Sequence, residues 1–510
     1  MSSKNILANS ALNAASGLAQ LLTGFACSIV AARLLGPAAN GTIAFSQMLV
    51  TTGSLIAELG TGVMLLRILP QLTVQGVSEK DRRGFAAYLQ VPVVAATLLL
   101  AAAYFFVVGR LDEDHWLDMT PMVATLTGVL FIIQSIGSYS KNYLIGEQRL
   151  GPFFQITVIA ALMQLVGVVV GAVVFKSIEA ALIGYLLGQI APFIYSVRIF
   201  LTRANPCGMH RRTLAASSFL LSLEYVITSI FLTRLEILFL QRFFDKENVG
   251  FYAVALTLAN LALQLPVQLT GSLMPYYSEK LEASGQGRLP IDMFAVVVRS
   301  LAYITLPMSF GLAAISQELV TSVFGPEFTP AGMIVAILAL ATPVFVFSQL
   351  CTQYLFSQGQ IKTRLLVDFI GSAIIVGGCI LLVPLYGGPG AAVVRAVSFV
   401  AMCLFMASAM EFDGSIGHVF RTLLPVTLAA MVCGLAAEAN ILLFGGLVGL
   451  ILAIPAGAVA YILALRLFKA VPESDVDALM KLADRFPGKL KRGLIAIVHF
   501  VAPHARRAVA

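Results

Sequence analysis

The sequence predicts an all-α integral membrane protein of about fourteen transmembrane helices, arranged as two pseudo-symmetric six-helix lobes followed by two further helices. Three observations predict it. Apolar residue types make up 59% of 510 residues and charged ones 12%, with a mean hydropathy of +0.90; a soluble chain of this length needs far more charge to cover its surface. Long apolar runs recur between charge clusters, each close to the roughly 20 residues that cross a hydrocarbon core with every backbone polar group paired inside the helix. Basic residues fall almost entirely on one side of those runs.

Taken in order, the runs place six spans at 12–33, 42–66, 86–108, 119–139, 153–174 and 179–199. Six more lie at 217–240, 250–273, 294–314, 331–350, 365–384 and 389–409. The last two, 420–437 and 442–465, are separated only by the short segment around Glu438 and Asn440. With the N-terminus cytoplasmic, 26 of the 33 Lys and Arg fall on the cytoplasmic side, Lys141, Arg299, Arg364 and the C-terminal segment among them. Five lie opposite, and Arg234 and Arg395 stay inside spans. Both termini are therefore expected in the cytoplasm.

Sparse identities suggest an internal repeat. Arg33 precedes Gly41 by eight residues and Arg242 precedes Gly250 by eight; Tyr143-Leu144 precedes Ala180-Ala181 by 37, as Tyr354-Leu355 precedes Ala391-Ala392. A six-helix unit returns to its starting side, so the copies are parallel. The expected organisation is a first lobe over 1–200, a second over 214–410, two added helices over 418–468, and a tail over 472–510. In that tail Val476, Leu479, Met480 and Ala483, then Leu490, Leu494, Ile497, Val498 and Val501, recur at helical spacing among Lys481, Arg485, Lys489, Lys491 and Arg492. That pattern predicts short basic amphipathic helices on an anionic membrane surface, with docking of a partner as the alternative.

Polar side chains inside a span are costly unless they face protein or water. Span one carries Asn9, Asn13, Ser16, Gln20 and Thr23 at steps of three and four; span two carries Gln47, Thr51, Ser54, Glu58 and Thr61 in the same way. Spans seven and eight, their repeat counterparts, carry Ser218, Ser222, Tyr225 and Ser229, and Thr257, Asn260, Gln264 and Gln268. Such stripes either glue helices together or line one central cavity, and four in related positions favour the cavity. Asn13, Gln20, Gln47, Ser54, Asn260 and Gln264 are the candidate cavity residues. Arg234 and Arg395 either join them, drawing in an anionic cargo, or form structural ion pairs. Glu58, Glu224 and Glu236 are candidate sites for ion coupling, through H+ or Na+, against the alternative of capped structural acids. Asp368, about one turn from the end of its span, is expected to reach water.

Absences narrow the function. No G-x-x-x-x-G-K-[ST] motif or nucleotide-binding domain is present, which excludes direct ATP drive. No HExxH, nucleophile elbow or CxxC occurs, so no metal, cofactor or nucleic-acid partner is expected. The outside loops are too short for a polysaccharide polymerase or ligase. The pattern points to a transporter rather than an enzyme.

Ordered motifs then resemble a family. Val30-Ala-Ala-Arg-Leu-Leu-Gly36-Pro with Gly41, Glu58-Leu-Gly60 with Arg67, and Val249-Gly250-Phe-Tyr252-Ala253 with Pro275 are followed by Phe324-Gly325-Pro326-Glu-Phe328 with Ala331. Gln358-Gly359-Gln-Ile-Lys362, Val383-Pro384-Leu-Tyr-Gly387 and Gly390-Ala-Ala392 complete the set. Together they resemble the Wzx-type polysaccharide flippases of the multidrug/oligosaccharidyl-lipid/polysaccharide (MOP) exporter superfamily, to about residue 465. The resemblance implies a MATE/MOP-like inverted-V bundle working by alternating access. The implied cargo is an undecaprenyl-pyrophosphate-linked oligosaccharide, moved across the bacterial inner membrane for O-antigen, capsule or exopolysaccharide synthesis. Membrane lipids, a polysaccharide polymerase and chain-length machinery are the implied partners. Glu236 stands where many relatives carry Asp. A lipid II flippase and a multidrug cation antiporter of the same superfamily are the rival readings, and intramembrane arginines argue against the latter.

Overall fold

The computed structural model describes residues 3–111, 119–207, 234–270, 273, 277, 289–410, 412–413, 416–476, 480 and 488–502. Its helices are α1 (Ser3–Ala57), α2 (Thr61–Val74), α3 (Glu79–Leu111), α4 (Pro121–Gly146), α5 (Leu150–Val170), α6 (Ile178–Phe200) and α7 (Leu235–Phe243). They continue as α8 (Lys246–Thr270), α9 (Ile291–Phe324), α10 (Ala331–Ser357), α11 (Ile361–Ala409), α12 (Ile416–Phe444), α13 (Gly446–Leu467) and α14 (Gly488–Val501). A two-residue parallel pair, Leu289–Pro290 with Phe412–Asp413, is the one sheet among the described residues.

Ten helices among the described residues are long and apolar enough to cross a bilayer. Two of them, within Ala15–Ala57 and Lys362–Ala409, run 43 and 48 residues, which at 1.5 Å per residue is about twice the hydrocarbon thickness. Each breaks at a glycine in a conformation that L side chains rarely adopt: Gly36 (φ 82°, ψ 177°), just before Pro37, and Gly387 (φ 57°, ψ −132°). These breaks are where spans one and two, and spans eleven and twelve, were expected to part. The described elements accommodate fourteen spans, the seventh being described only from Arg234 onward.

Three expectations are corrected. Span two is not one continuous helix: it stops at Ala57 and restarts at Thr61, because Leu59 (φ 50°) and Gly60 (φ 69°) both take left-handed backbone. The turn between the last two spans is at Gly445 and Gly446 (φ 60° and 52°), not around Glu438 and Asn440; Asn440 Nδ2 donates to the Ala436 carbonyl of its own helix at 2.8 Å, so its polarity does not interrupt α12. Lys141 and Arg364 lie inside α4 and α11 rather than in the loops expected between spans.

The chain forms two compact units: residues 1–254 with 379–387, and residues 255–378 with 388–510. The core of the first includes Leu65, Leu69, Phe85, Tyr139 and Tyr143, all essentially unexposed, where α2, α3 and α4 meet. Its helix ends are fixed locally. Ser78 caps α3, accepting from the Asp81 N–H at 3.2 Å while its own hydroxyl donates to the Asp81 carboxylate at 2.6 Å. Thr120 and Ser177 cap α4 and α6 through Val123 N–H and Ala180 N–H. Beyond the end of α4, Glu147 receives Arg82 Nε at 2.8 Å and Nη2 at 2.9 Å, with the Glu147 side chain 3% exposed.

The two repeat glycines meet in this unit. Gly41 on α1 faces the Lys246 carbonyl, and Gly250 on α8 faces the Pro37 carbonyl, each so closely that a methyl group would overlap it. Asn40 Nδ2 donates to the Gly250 carbonyl at 3.3 Å across the same crossing. Glycine at both positions lets two backbones approach as no other residue would.

In the second unit, α9, α12 and α13 share a core of Tyr303, Val426, Ala429, Ala430 and Tyr461. Tyr461 donates to the Tyr303 carbonyl at 3.0 Å. The segment after α13 is tied to α9: Arg299 clasps Asp475 through Nε at 2.7 Å and Nη2 at 2.6 Å, and Tyr303 donates to the same carboxylate at 2.7 Å.

Candidate functional site

The break after α1 sets a buried polar site in the first unit. Gln47, Ser54 and Glu58 are seven and four residues apart on the second half of α1, so they lie along one face. Glu58, at the break, is buried. Its Oε1 receives Asn142 Nδ2 at 2.7 Å and Ser138 Oγ at 3.4 Å, both from α4. Its own carbonyl receives the Thr61 hydroxyl at 2.7 Å, which seals the turn. Gly62 in the first turn of α2 leaves room for this group, since a methyl there would strike the Asn142 amide and the Glu58 carboxyl. The carboxyl thus lies against a helix N-terminus, which favours negative charge, and Lys141 adds positive potential from α4.

Neighbouring polar groups divide into two kinds. Ser46 receives the Thr127 hydroxyl at 3.0 Å, and Thr97 shares a hydrogen bond with Ser135 at 2.8 Å. These buried pairs join helices and are used up in doing so. Gln47 Nε2 and Ser54 Oγ are also buried, yet neither has a hydrogen-bond partner among the described residues. An unfilled polar atom costs about 1–3 kcal/mol in a protein interior. Two such groups lie on one face, in line with a capped carboxyl.

The other candidates are placed as follows. Asn13 and Gln20 are exposed on the first half of α1, and Asn260 and Gln264 are exposed on α8. Arg234 is half-buried just before α7, in non-helical backbone (φ −146°, ψ 11°), and not inside a helix as expected. Glu236 is fully buried in the first turn of α7. Arg395 belongs to the second unit; it is 8% exposed on α11, its guanidinium carbon 5.9 Å from the centre of the Phe399 ring. Glu224 and the span-seven stripe lie outside the described residues, as does the side chain of Gln268. Asp368, expected to reach water, is instead 1% exposed and paired with Arg364 at 2.8 Å, one helical turn away on α11.

Asn142 was missed at the sequence level because span four was ended at Tyr139; Ser138 lay inside that span but was not read as part of a polar face. Ser135, Ser138 and Asn142 are three and four apart, a helical face that a longer span would have included.

The sequence profile of the family described as "polysaccharide biosynthesis protein" matches residues 30–333. The chain belongs to this family. The matched region holds both repeat glycines and the Glu58 break. A curated relative, the probable low-salt glycan biosynthesis flippase Agl15 of Haloferax volcanii, is 22% identical over 380 residues, covering 72% of this chain and 75% of the relative. Among solved structures, the lipid II flippase MurJ in an inward closed conformation superposes with a TM-score of 0.70 at 14% identity, over 90% of this chain and 98% of that one. An inward-facing multidrug-resistance MATE transporter of the MOP superfamily superposes with a TM-score of 0.57 at 12% identity, over 79% and 96%. This family member therefore shares the fold of these MOP transporters, as expected from its motifs, and is a multi-pass membrane protein.

Proposed function

We propose that the protein is a flippase that carries undecaprenyl-pyrophosphate-linked oligosaccharide repeat units across the bacterial inner membrane, by alternating access, for surface polysaccharide synthesis. The observation that carries this reading is the polar face of Gln47, Ser54 and Glu58, with two buried polar atoms unused among the described residues, in a chain of the polysaccharide biosynthesis family. Sugar hydroxyls both donate and accept, so they suit an amide N–H and a serine hydroxyl together. Arg395 and Arg234 supply positive charge for pyrophosphate or acidic sugars. The polyprenyl chain stays in lipid, where its transfer costs nothing. Both termini lie in the cytoplasm, on the side that gathers the basic residues. Drive comes from H+ or Na+ at Glu58, Glu224 or Glu236, or from consumption of product outside by the polymerase and chain-length machinery.

Depletion of the protein in its native host tests this directly. A lipid-linked repeat unit of the host polysaccharide should accumulate on the cytoplasmic face, with its sugars inaccessible from outside. Accumulation of lipid II in its place would assign the cargo to cell-wall synthesis and overturn the reading. Gln47→Ala with Ser54→Ala should slow appearance of the repeat unit outside by roughly tenfold or more, as expected for the loss of two hydrogen bonds of about 1 kcal/mol each, while the protein's melting temperature stays unchanged.

A further inference from the structure

Apart from the polar face, the first unit holds a cavity of about 250 Å³ between α1, α3 and α4. Its walls include Val50 and Gly53 of α1, Leu100, Ala103 and Val107 of α3, and Phe131 of α4. Only two side chains in the lining carry a polar atom, Tyr104 and Thr127, and both are engaged. Tyr104 donates to the Ala124 carbonyl at 3.0 Å. The Thr127 hydroxyl lies 2.8 Å from the Val123 carbonyl and 3.0 Å from Ser46 Oγ. That leaves no free donor for a sugar or a phosphate and no charge for an ion, and water stays only where several polar groups hold it.

The same contacts keep the space open. Thr127 with Ser46 ties α4 to α1, while Tyr104 with Ala124 and Thr97 with Ser135 tie α3 to α4. Behind the walls, Val50 and Phe131 pack with Ala101 and Leu130. Apolar walls facing a void lose their dispersion contacts on that side; an apolar cavity of about 150 Å³ in a soluble protein stays dry and takes up a small apolar molecule. The mouth decides what enters here. Ala103 is exposed on α3, and Val107 is 41% exposed. From Leu98 to Val107 every exposed side chain of α3 is apolar, Leu99 at 70% and Phe106 at 60% among them. This stretch belongs to a candidate membrane span, so the cavity is continuous with a surface that lipid hydrocarbon covers. Leu100 to Val107 occupies about 10 Å of helix at about 1.5 Å per residue, which fits within the roughly 15 Å of hydrocarbon in one leaflet.

We infer that this cavity is a binding site for one aliphatic chain of a membrane lipid, which enters past Ala103 and Val107 and reaches Gly53 and Phe131 on the far walls. The chain supplies the contacts that the walls lack, so it is held in place rather than exchanging as the surrounding lipid does. A phospholipid acyl chain and a polyprenyl chain share this chemistry. The site is separate from the face of Gln47, Ser54 and Glu58, none of which lines it.

The test uses the full chain in nanodiscs that carry a trace of lipid with a photoactivatable diazirine in its chain. One preparation contains labelled phosphatidylcholine and a second contains labelled undecaprenyl phosphate. After illumination, adducts are mapped by peptide mass spectrometry. Label should appear on Gly53 and Phe131 as well as on Leu99 and Phe106, which meet lipid in any case. Leu49→Phe and Ala103→Phe fill the space from opposite walls. Each should remove the label from Gly53 and Phe131 and leave it on Leu99 and Phe106, which also reports that the variant is folded and inserted. Ala103→Ser keeps the mouth open and should label as the parent does. Label on the far walls from one lipid and not the other identifies the source of the chain, and label from both shows a site for either; each supports the inference. Parent protein labelled by neither lipid at Gly53 and Phe131 overturns it, as does label that persists there in both filled variants. None of these results bears on the cargo, which the depletion experiment reads separately.

Discussion

Replacing Arg82 with methionine removes one side of a buried ion pair at the end of α4. The substitution leaves the Glu147 side chain, 3% exposed, without its two charge-assisted hydrogen bonds of 2.8 and 2.9 Å. Arg82 Nη1 also donates to the Val77 carbonyl at 2.6 Å, so the turn before α3 loosens as well. Hydrogen bonds to charged groups contribute about 1.5–3 kcal/mol each, and breaking a buried pair from one side costs about 3–5 kcal/mol. Arg82 itself is 14% exposed, so water reaches the site and the low end applies. About 3 kcal/mol in a unit of this size corresponds to a melting-temperature loss of about 6–12 °C. Fluorescence-detected size-exclusion after heating in detergent reads that shift. Adding Glu147→Met removes the stranded charge and should return the melting point to within about 4 °C of the parent. An Arg82→Met protein that melts with the parent, or a double variant less stable than the single one, would refute the reasoning.

Two further outcomes follow from other sites. Gly41→Ala and Gly250→Ala should each destabilise by about 1 kcal/mol, overpacking of about 1–3 kcal/mol offset in part by alanine's helix preference of about 1 kcal/mol. The double variant should lose less than the sum, because one separation of α1 from α8 relieves both overlaps; strict additivity in thermal melts would show that the two contacts are independent. Asp245, between α7 and α8, feels burial that raises its carboxyl pKa, yet the Asn248 N–H and side-chain amide, both at 2.9 Å, hold it below the usual range. A depressed folded pKa stabilises above the unfolded value and is lost as pH falls through the folded one. Asp245→Asn should therefore melt lower than the parent at neutral pH, with the gap closing only below about pH 4.

Much of the fold was legible because lipid forces a simple code. Apolar length located the spans, and glycine with proline located Gly36 and Gly387. The polar stripe through Gln47, Ser54 and Glu58 was equally legible as a helical face. What escaped was set by contacts distant in sequence. The break after Glu58 sits inside an apolar run, where Gly60 reads as one tolerated helix glycine until its left-handed backbone is seen. Asn142 was cut off because Lys141 beside it reads as a loop charge, although α4 carries both to Gly146. Asp475 joins Arg299 across 176 positions, a pairing no local pattern announces. By contrast, the Arg364–Asp368 pair was within reach, being four apart on one helix. It was overlooked because each residue was assigned separately, one to a loop and one to water.

The crossing of Gly41 with Gly250 has a consequence for how such a chain changes over generations. The two glycines that the expected repeat aligns lie on opposite sides of one contact, with Asn40 donating to the Gly250 carbonyl across it. A single substitution at either glycine therefore meets the backbone beside the other, so what one position tolerates depends on the other. The crossing thus ties two stretches far apart in the sequence to one shared separation.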